Sequence, residues 1–283
     1  MAEPDPLDRP PGDFRRLAVL GSPIAHSKSP ALHAAAYRVL GLDWEYAAVE
    51  VTTTTLPGFL GGLDSSWRGL SLTMPLKRDV VPLLTTTDEL VELTGAANTV
   101  RIEPGVLAGF NTDVYGIEES FRRAGVAALH SVAILGGGAT AASALVAASQ
   151  MGATAATIAL RDPAKGGALR TLADRLGVHL QVQAIGSPLP PCDAVVSTLP
   201  NGAEARPMVP EHVRRSAVLL DVAYEPWPTP LAASWTGPVI PGIEMLVHQA
   251  VAQVRVFLQG SPDRSLPGDD RVLTAMRSAV GLT

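Results

Sequence analysis

Short apolar, β-branched runs alternate with longer stretches of helical periodicity from Arg15 to the end of the chain, a rhythm that predicts an α/β protein. RRLAVLG (15–21) reads as a strand that runs into a proline-flanked turn, and SPALHAAAYRVLG (29–41) as a helix closed by Gly41. WEYAAVEV (44–51) alternates as a second strand. GLSLTMP (69–75) is a third, stopped by Pro75. TTTDELVELTG (85–95) reads as a short helix ending at Gly95, followed by the strands ANTVRIE and VLAGF.

A helix, TDVYGIEESFRRAG (112–125), opens a second block. HSVAILGGGATAASALVAASQMG (130–152) then gives a strand, a glycine turn and an alanine-rich helix. TAATIALRD and PAKGGALRTLADRLG supply the next strand and helix, and HLQVQAIG, DAVVSTLP and SAVLLDVAY three further strands. This βαβ series of about 130 residues has the size of one dinucleotide-binding domain. The helix at 243–260 carries Ile243, Leu246, Val247, Ala250, Val251, Val254, Phe257 and Leu258 as one apolar stripe. Met245 and Gln249 share an offset face. DRVLTAMRSAVGL is expected to pack back on the first block. The organisation read from these patterns is 15–112 with 243–283 as one domain and 113–242 as the other. Residues 1–14, acidic and proline-rich, read as a disordered lead-in.

The bulk numbers narrow the function. With 283 residues, 47% hydrophobic and 17% charged, the chain suits a soluble two-domain protein, and a net charge of −5 offers no basic footprint for nucleic acid or a membrane surface. No apolar run reaches the ~18 residues that would span a bilayer. The single cysteine, Cys192, excludes an intramolecular disulfide and a cysteine-based metal cluster, and is expected to be a buried, inert thiol. The histidines show no metal-ligand spacing; His26 and His33, beside a helix start, read as structural residues. A cytoplasmic enzyme or binding protein fits these limits.

Candidate chemistry clusters at strand ends. Gly136 and Gly138, with Ala141 in the third place of a G-x-G-x-x-G/A pattern, follow a strand and open a helix. There backbone N–H groups and the helix dipole can hold a pyrophosphate, although glycines also serve plain helix–sheet packing. At the end of the next strand, Arg161 and Lys165 could clamp a 2′-phosphate, while Asp162 would repel it or accept from a ribose hydroxyl; NADP is favoured over NAD. In GSPIAHSKSP (21–30), Ser27 and Ser29 point the same way and make a neutral receptor for a carboxylate; Ser29 before Pro30 also has the form of a helix N-cap. Thr73 and Lys77 close a strand, and Asn98, Asn111, Thr112 and Asp113 gather at the domain junction, Thr112 or Asp113 equally able to cap a helix.

Taken in order, GSPIAHSKSPALH, SLTMPLK, GAANT, NTD, GGGATA, YEPWPTPL and GIEML..Q resemble the shikimate dehydrogenase family over the chain from about Leu17 onward. The resemblance implies an α/β fold of two domains, an N-terminal substrate domain and a Rossmann-type dinucleotide-binding domain, with the C-terminal helices returning to the first. It implies reversible NADP-linked reduction of 3-dehydroshikimate to shikimate. Carried over position by position, it places the carboxylate anchor on Ser27 and Ser29, the catalytic lysine on Lys77 and its aspartate partner on Asp113. Substrate contacts fall on Thr73, Asn98, Asp113, Gln249 and Tyr224. The cofactor half takes Gly136, Gly137, Gly138, Ala139, Thr140 and Arg161, then Ser197, Thr198, Leu199, Gly242 and Met245. No metal is implied, Trp227 is expected to pack rather than react, and the resemblance leaves room for a homodimer.

The chain departs from the family pattern at Ser71, where many members have asparagine, at Ala139 and Thr140, at Val114, and at LRD (160–162), where NRT is typical. Asp162 keeps a second expectation open: an NAD-linked quinate/shikimate or aminoshikimate dehydrogenase paralogue.

Overall fold

The computed structural model of the chain describes residues 14–200, 202 and 205–282, so the lead-in expected at 1–14 lies outside it except for Phe14. The chain forms two compact units that divide at Thr112/Asp113 and at Leu246/Val247.

In the first unit the chain runs β1 (Arg15–Gly21), α1 (Ser29–Val39), β2 (Trp44–Glu50), α2 (Leu56–Gly61), β3 (Trp67–Leu72), α3 (Leu76–Asp79), β4 (Thr86–Thr87), α4 (Glu89–Thr94), β5 (Thr99–Glu103) and β6 (Val106–Phe110). The six strands lie in the order β2-β1-β3-β5-β6-β4. β1 pairs parallel with β2 and β3, whereas β5 and β6 form an antiparallel hairpin beside β3. β1 lies inside the sheet between β2 and β3, and its Leu17–Gly21 run is buried throughout, as a strand covered on both faces must be.

The second unit holds α5 (Asp113–Arg123), β7 (Ser131–Leu135), α6 (Ala139–Gln150), β8 (Ala155–Leu160), α7 (Gly167–Leu176), β9 (His179–Ala184), β10 (Ala194–Ser197), α8 (Glu211–Ser216), β11 (Val218–Asp221), α9 (Pro230–Ala233) and β12 (Val239–Pro241). Its sheet, β12-β11-β10-β7-β8-β9, is parallel throughout. Strand order reverses between β7 and β10, and open α/β sheets bind ligands at the carboxyl ends flanking such a reversal. The last two helices are α10 (Gly242–Gln259), within which the unit boundary falls, and α11 (Asp269–Ala279), which packs on α1. Among the described residues no helix is long and apolar enough to cross a membrane.

The local departures have simple causes. The threonines expected to start a helix at 85 form β4 instead, and α4 begins only at Glu89, where the Asp88 side chain accepts from Val91 N–H. Threonine favours a strand, and aspartate is the stronger N-cap. α2 and α3 are six and four residues long, too short to show a period in sequence. α10 is not a simple stripe: from Val247 to Leu258 every residue but Arg255 is buried, while Ile243 and Leu246 are only half-buried. Trp227, expected to pack, is 39% exposed; it lies in a proline-rich stretch (226–230) that carries no strand or helix before α9 to bury its ring. Cys192 is half-buried, and burial pushes its thiol up to about 11.

Candidate active site

The first unit gathers its polar groups at the carboxyl ends of β1 and β3. Beyond β3, Thr73 N–H donates to Leu20 O at the end of β1 (2.9 Å), and Ser22 N–H donates to Met74 O (3.1 Å). The serine turn and the Thr73–Lys77 turn are therefore stitched together. Two further bonds bring in the third segment: Leu72 N–H donates to Asn98 O and Ala97 N–H to Lys77 O, both at 2.8 Å. Lys77, in α3, is half-buried.

Ser27 Oγ accepts from Ser29 N–H at 3.3 Å, so this hydroxyl stands at the N-terminus of α1. Ser29 is not the N-cap: Lys28 holds that position, and its own side chain makes no cap bond. With Lys28 already in the helical region, Ser29 falls inside the first turn, where its hydroxyl cannot reach forward as a cap does. Ser29 is buried, Ser27 half-buried.

Asn98 is the hub of this unit. Its Nδ2 donates to Thr112 Oγ1 (3.0 Å) and to Gln249 Oε1 (3.2 Å), while its Oδ1 accepts from Thr112 N–H (2.8 Å) and Thr99 Oγ1 (2.9 Å). The bond to Oε1 fixes the Gln249 carboxamide, so Nε2 is the end turned away from Asn98. Asn111 is held elsewhere, donating to Thr94 Oγ1 and Ala96 O. Asn98 and Gln249 are 2% and 6% exposed. Sequence reading missed the layer beneath them. Gln253, His33, Tyr46 and Ser71 form a buried hydrogen-bonded cluster, and the available signal was a second glutamine one helical turn after Gln249.

Asp113, the first residue of α5, belongs to the second unit and is buried there. So does Tyr224, half-buried just beyond β11.

The second unit carries the glycine turn at the end of β7. Gly136 has φ +106°, and a Cβ there would lie 2.5 Å from Thr198 Oγ1. Thr198 itself donates through Oγ1 to Leu135 O (2.8 Å), so β7 and β10 close on one another only because residue 136 is glycine. Gly138 precedes α6 at its N-cap position, and a Cβ built there meets nothing within 4 Å. Gly137 and Gly138 are exposed, Ala139 and Thr140 half-buried. The turn thus has open space at a helix N-terminus, which suits a pyrophosphate.

At the end of β8, Arg161 and Lys165 are exposed. Asp162 Oδ1 accepts from Ala164 N–H (3.1 Å), capping the 3₁₀ turn at Pro163–Gly166. One carboxylate oxygen of Asp162 is thus engaged within its own loop, and Asp162, Arg161 and Lys165 are all exposed. Ser197 ends β10 opposite Asp221 of β11, whose carboxyl burial pushes upward and to which Thr229 Oγ1 donates at 2.5 Å. Ser197, Leu199, Asp221 and Thr229 line a cavity of about 310 Å³. Gly242 is required on packing grounds alone, since a Cβ there would collide with Val222 O. Met245 is buried.

Residues 19–100 match the family model of the shikimate dehydrogenase substrate binding domain. A shikimate dehydrogenase (NADP(+)) from Ignicoccus hospitalis is 33% identical over 257 residues, 87% of this chain and 94% of that protein. Among solved structures, a shikimate 5-dehydrogenase from Mycobacterium fortuitum is 38% identical with a TM-score of 0.77, covering 94% of this chain and 97% of that one. The Thermus thermophilus enzyme, solved in complex with NADP(H) and shikimate, is 29% identical with a TM-score of 0.76 over 94% and 99% of the two chains. Similarity at this level runs through both units, and the chain belongs to the shikimate dehydrogenase family.

Proposed function

We infer that the chain catalyses the reversible, NADP-dependent reduction of 3-dehydroshikimate to shikimate, a step towards chorismate and the aromatic amino acids. The observation that supports this reading is that hydrogen bonds at the strand ends of the first unit join the backbone segments that carry the serine turn, Thr73 and Lys77, and Asn98, which in turn bonds Gln249. The Thermus relative, which holds NADP(H) and shikimate together, supports it.

In this reading Ser27 and Ser29 receive the substrate carboxylate beside the positive end of α1. Thr73, Asn98, Gln249 and Tyr224 orient the ring hydroxyls. NADP, when bound, supplies or accepts the hydride. Reduction of a ketone leaves an oxygen that must gain a proton, and Lys77 holds that proton at Nζ, with Asp113 as its counter-charge and as an acceptor for a substrate hydroxyl. In the second unit the Gly136–Thr140 turn receives the pyrophosphate, Arg161 and Lys165 the 2′-phosphate, and Ser197, Thr198, Leu199, Gly242 and Met245 border the ribose and nicotinamide. Thr198 does so as an acceptor or through its backbone, because its hydroxyl proton is engaged with Leu135 O. One cysteine and an acidic balance support a cytoplasmic setting; light scattering of the purified protein tests the homodimer.

The exposed carboxylate of Asp162 favours a second reading, an NAD-linked enzyme acting on quinate or an amino analogue. A matrix of kcat/KM for shikimate and quinate with NADP⁺ and NAD⁺ separates the two. Shikimate with NADP⁺ should lead every other pair by about tenfold or more, as loss of a charge-assisted phosphate contact implies. A lead for NAD⁺ or for quinate favours the second reading, and no nicotinamide reduction in any cell of the matrix overturns both.

A further inference from the structure

We propose that Gln253 is a positioning residue for the substrate: its carboxamide joins the elements that carry Ser29, Thr73, Asn98 and Gln249 and so sets the geometry of the binding edge. This rests on the functional reading above and adds a layer beneath it.

The arrangement is systematic. Ser29 and Thr73 each have a near neighbour on their own segment that bonds Gln253, Asn98 bonds it directly, and Gln249 has Gln253 itself one turn further along α10. In α1, His33 stands four residues after Ser29, and in α10 Gln253 itself stands four after Gln249, so each pair shares a helix face. Ser71, two residues before Thr73, lies on β3. Asn98 contributes directly through its carbonyl.

The bonds run in one sense. Ser71 Oγ donates to Gln253 Oε1 (2.9 Å), which makes Oε1 the acceptor end and Nε2 the donor, and Nε2 donates to Asn98 O (3.3 Å). His33 Nε2 lies 3.2 Å from the same Oε1 and must therefore carry the imidazole proton. His33 Nδ1 then accepts from Tyr37 O–H at 3.1 Å. Tyr46 O–H donates to Ser71 Oγ at 2.6 Å, and its ring stacks on His33 with centroids 3.9 Å apart. Gln253, His33 and Ser71 are all buried. Asn98 is thus held from two sides by one helix: Gln249 on its side chain, Gln253 on its backbone. A leucine at 253 would fill a core of this kind but could not fix the amide directions of the residues above it.

Gln253→Met, close in length and lacking both polar ends, tests this. It should raise KM for shikimate about tenfold, the scale of a sub-ångström to ångström misplacement, while KM for NADP⁺ stays within about twofold. Ser71→Ala, a smaller change that removes one donor to Gln253, should raise shikimate KM in the same direction and serves if Gln253→Met does not fold. A Gln253→Met or Ser71→Ala enzyme that melts lower yet keeps the wild-type KM for shikimate would overturn the proposal. Wild-type turnover of shikimate, measured alongside, reports on the functional reading separately; its absence removes both.

Discussion

Asn98 and Gln249 lie 151 positions apart in the chain, and the Asn98 amide donates to the Gln249 carbonyl oxygen across 3.2 Å. One carboxamide thereby decides which end of the other is presented, so neither can be altered alone. Gln249→Ala should raise KM for shikimate about tenfold with a smaller change in kcat, the signature of lost substrate binding. Asn98→Ala should exceed it, since it also releases Thr112. Steady-state kinetics on both variants decide; an unchanged KM in Gln249→Ala would return that residue to a packing role.

Lys77 carries the chemical step in this reading. Its backbone is secured to the Asn98 segment by the Ala97 N–H bond, so the side chain can be removed without moving the strand ends. Lys77→Ala should lower kcat by ~10²–10⁴-fold and leave NADPH affinity nearly intact. Turnover within a few-fold of wild type, with fluorescence titration of NADPH unchanged, would remove Lys77 from the proton-transfer role.

Cofactor preference turns on the loop after β8. Asp162→Asn keeps the acceptor that caps Ala164 N–H and removes only the charge beside Arg161. KM for NADP⁺ should fall by about two- to fivefold in this variant, while Arg161→Ala should raise it about tenfold or more, as a phosphate loses its planar fork. If Asp162→Asn instead weakens NAD⁺ and leaves NADP⁺ unchanged, the carboxylate binds a ribose hydroxyl.

His33 makes stability depend on pH. Burial lowers its imidazole from 6.5 to about 3, and the groups facing it, Tyr37, Tyr46, Gln253 and Phe257, bring no charge. Between those two values the unfolded chain binds a proton that the native chain refuses. The contribution is therefore fully present above about pH 6.5 and falls as the pH drops, by up to about 1.4 kcal/mol per unit. Urea denaturation between pH 7 and 4.5 should show a shallower acid loss in His33→Asn than in wild type, although the variant is less stable at pH 7. Parallel slopes would mean that the native imidazole is protonated.

Most of the helices and strands were legible because burial imposes a period. RRLAVLG, HSVAIL and DAVVS are short β-branched runs that a parallel sheet buries on both faces, and Gly95 takes the left-handed position that a helix end favours. The family motifs are legible for another reason: they sit in turns where a glycine, a proline or a hydroxyl has a local geometric duty, as at Gly136. Elements whose identity depends on neighbours were not legible. β12 is three residues, preceded by Pro238 and ending on Pro241, and exists because β11 offers it an edge. Ser29 carries a capping signature, yet the helix begins one residue earlier than that signature implies.

Periodicity and local turn chemistry, both short-range, are what the amino-acid order settled: an α/β chain, a dinucleotide-type turn, and a roster of polar residues at strand ends. Pairing of partners distant in sequence was decided only on folding. The antiparallel pairing of β5 with β3, the clasp of Asn98 between two turns of α10, and the burial of His33 against Tyr46 all arise from contacts whose cost and reward depend on what arrives from elsewhere in the chain. A glutamine in an apolar helix carries no mark of its partner in its own neighbourhood. Its hydrogen-bonding groups acquire direction only once the interior excludes water and leaves them a single set of partners.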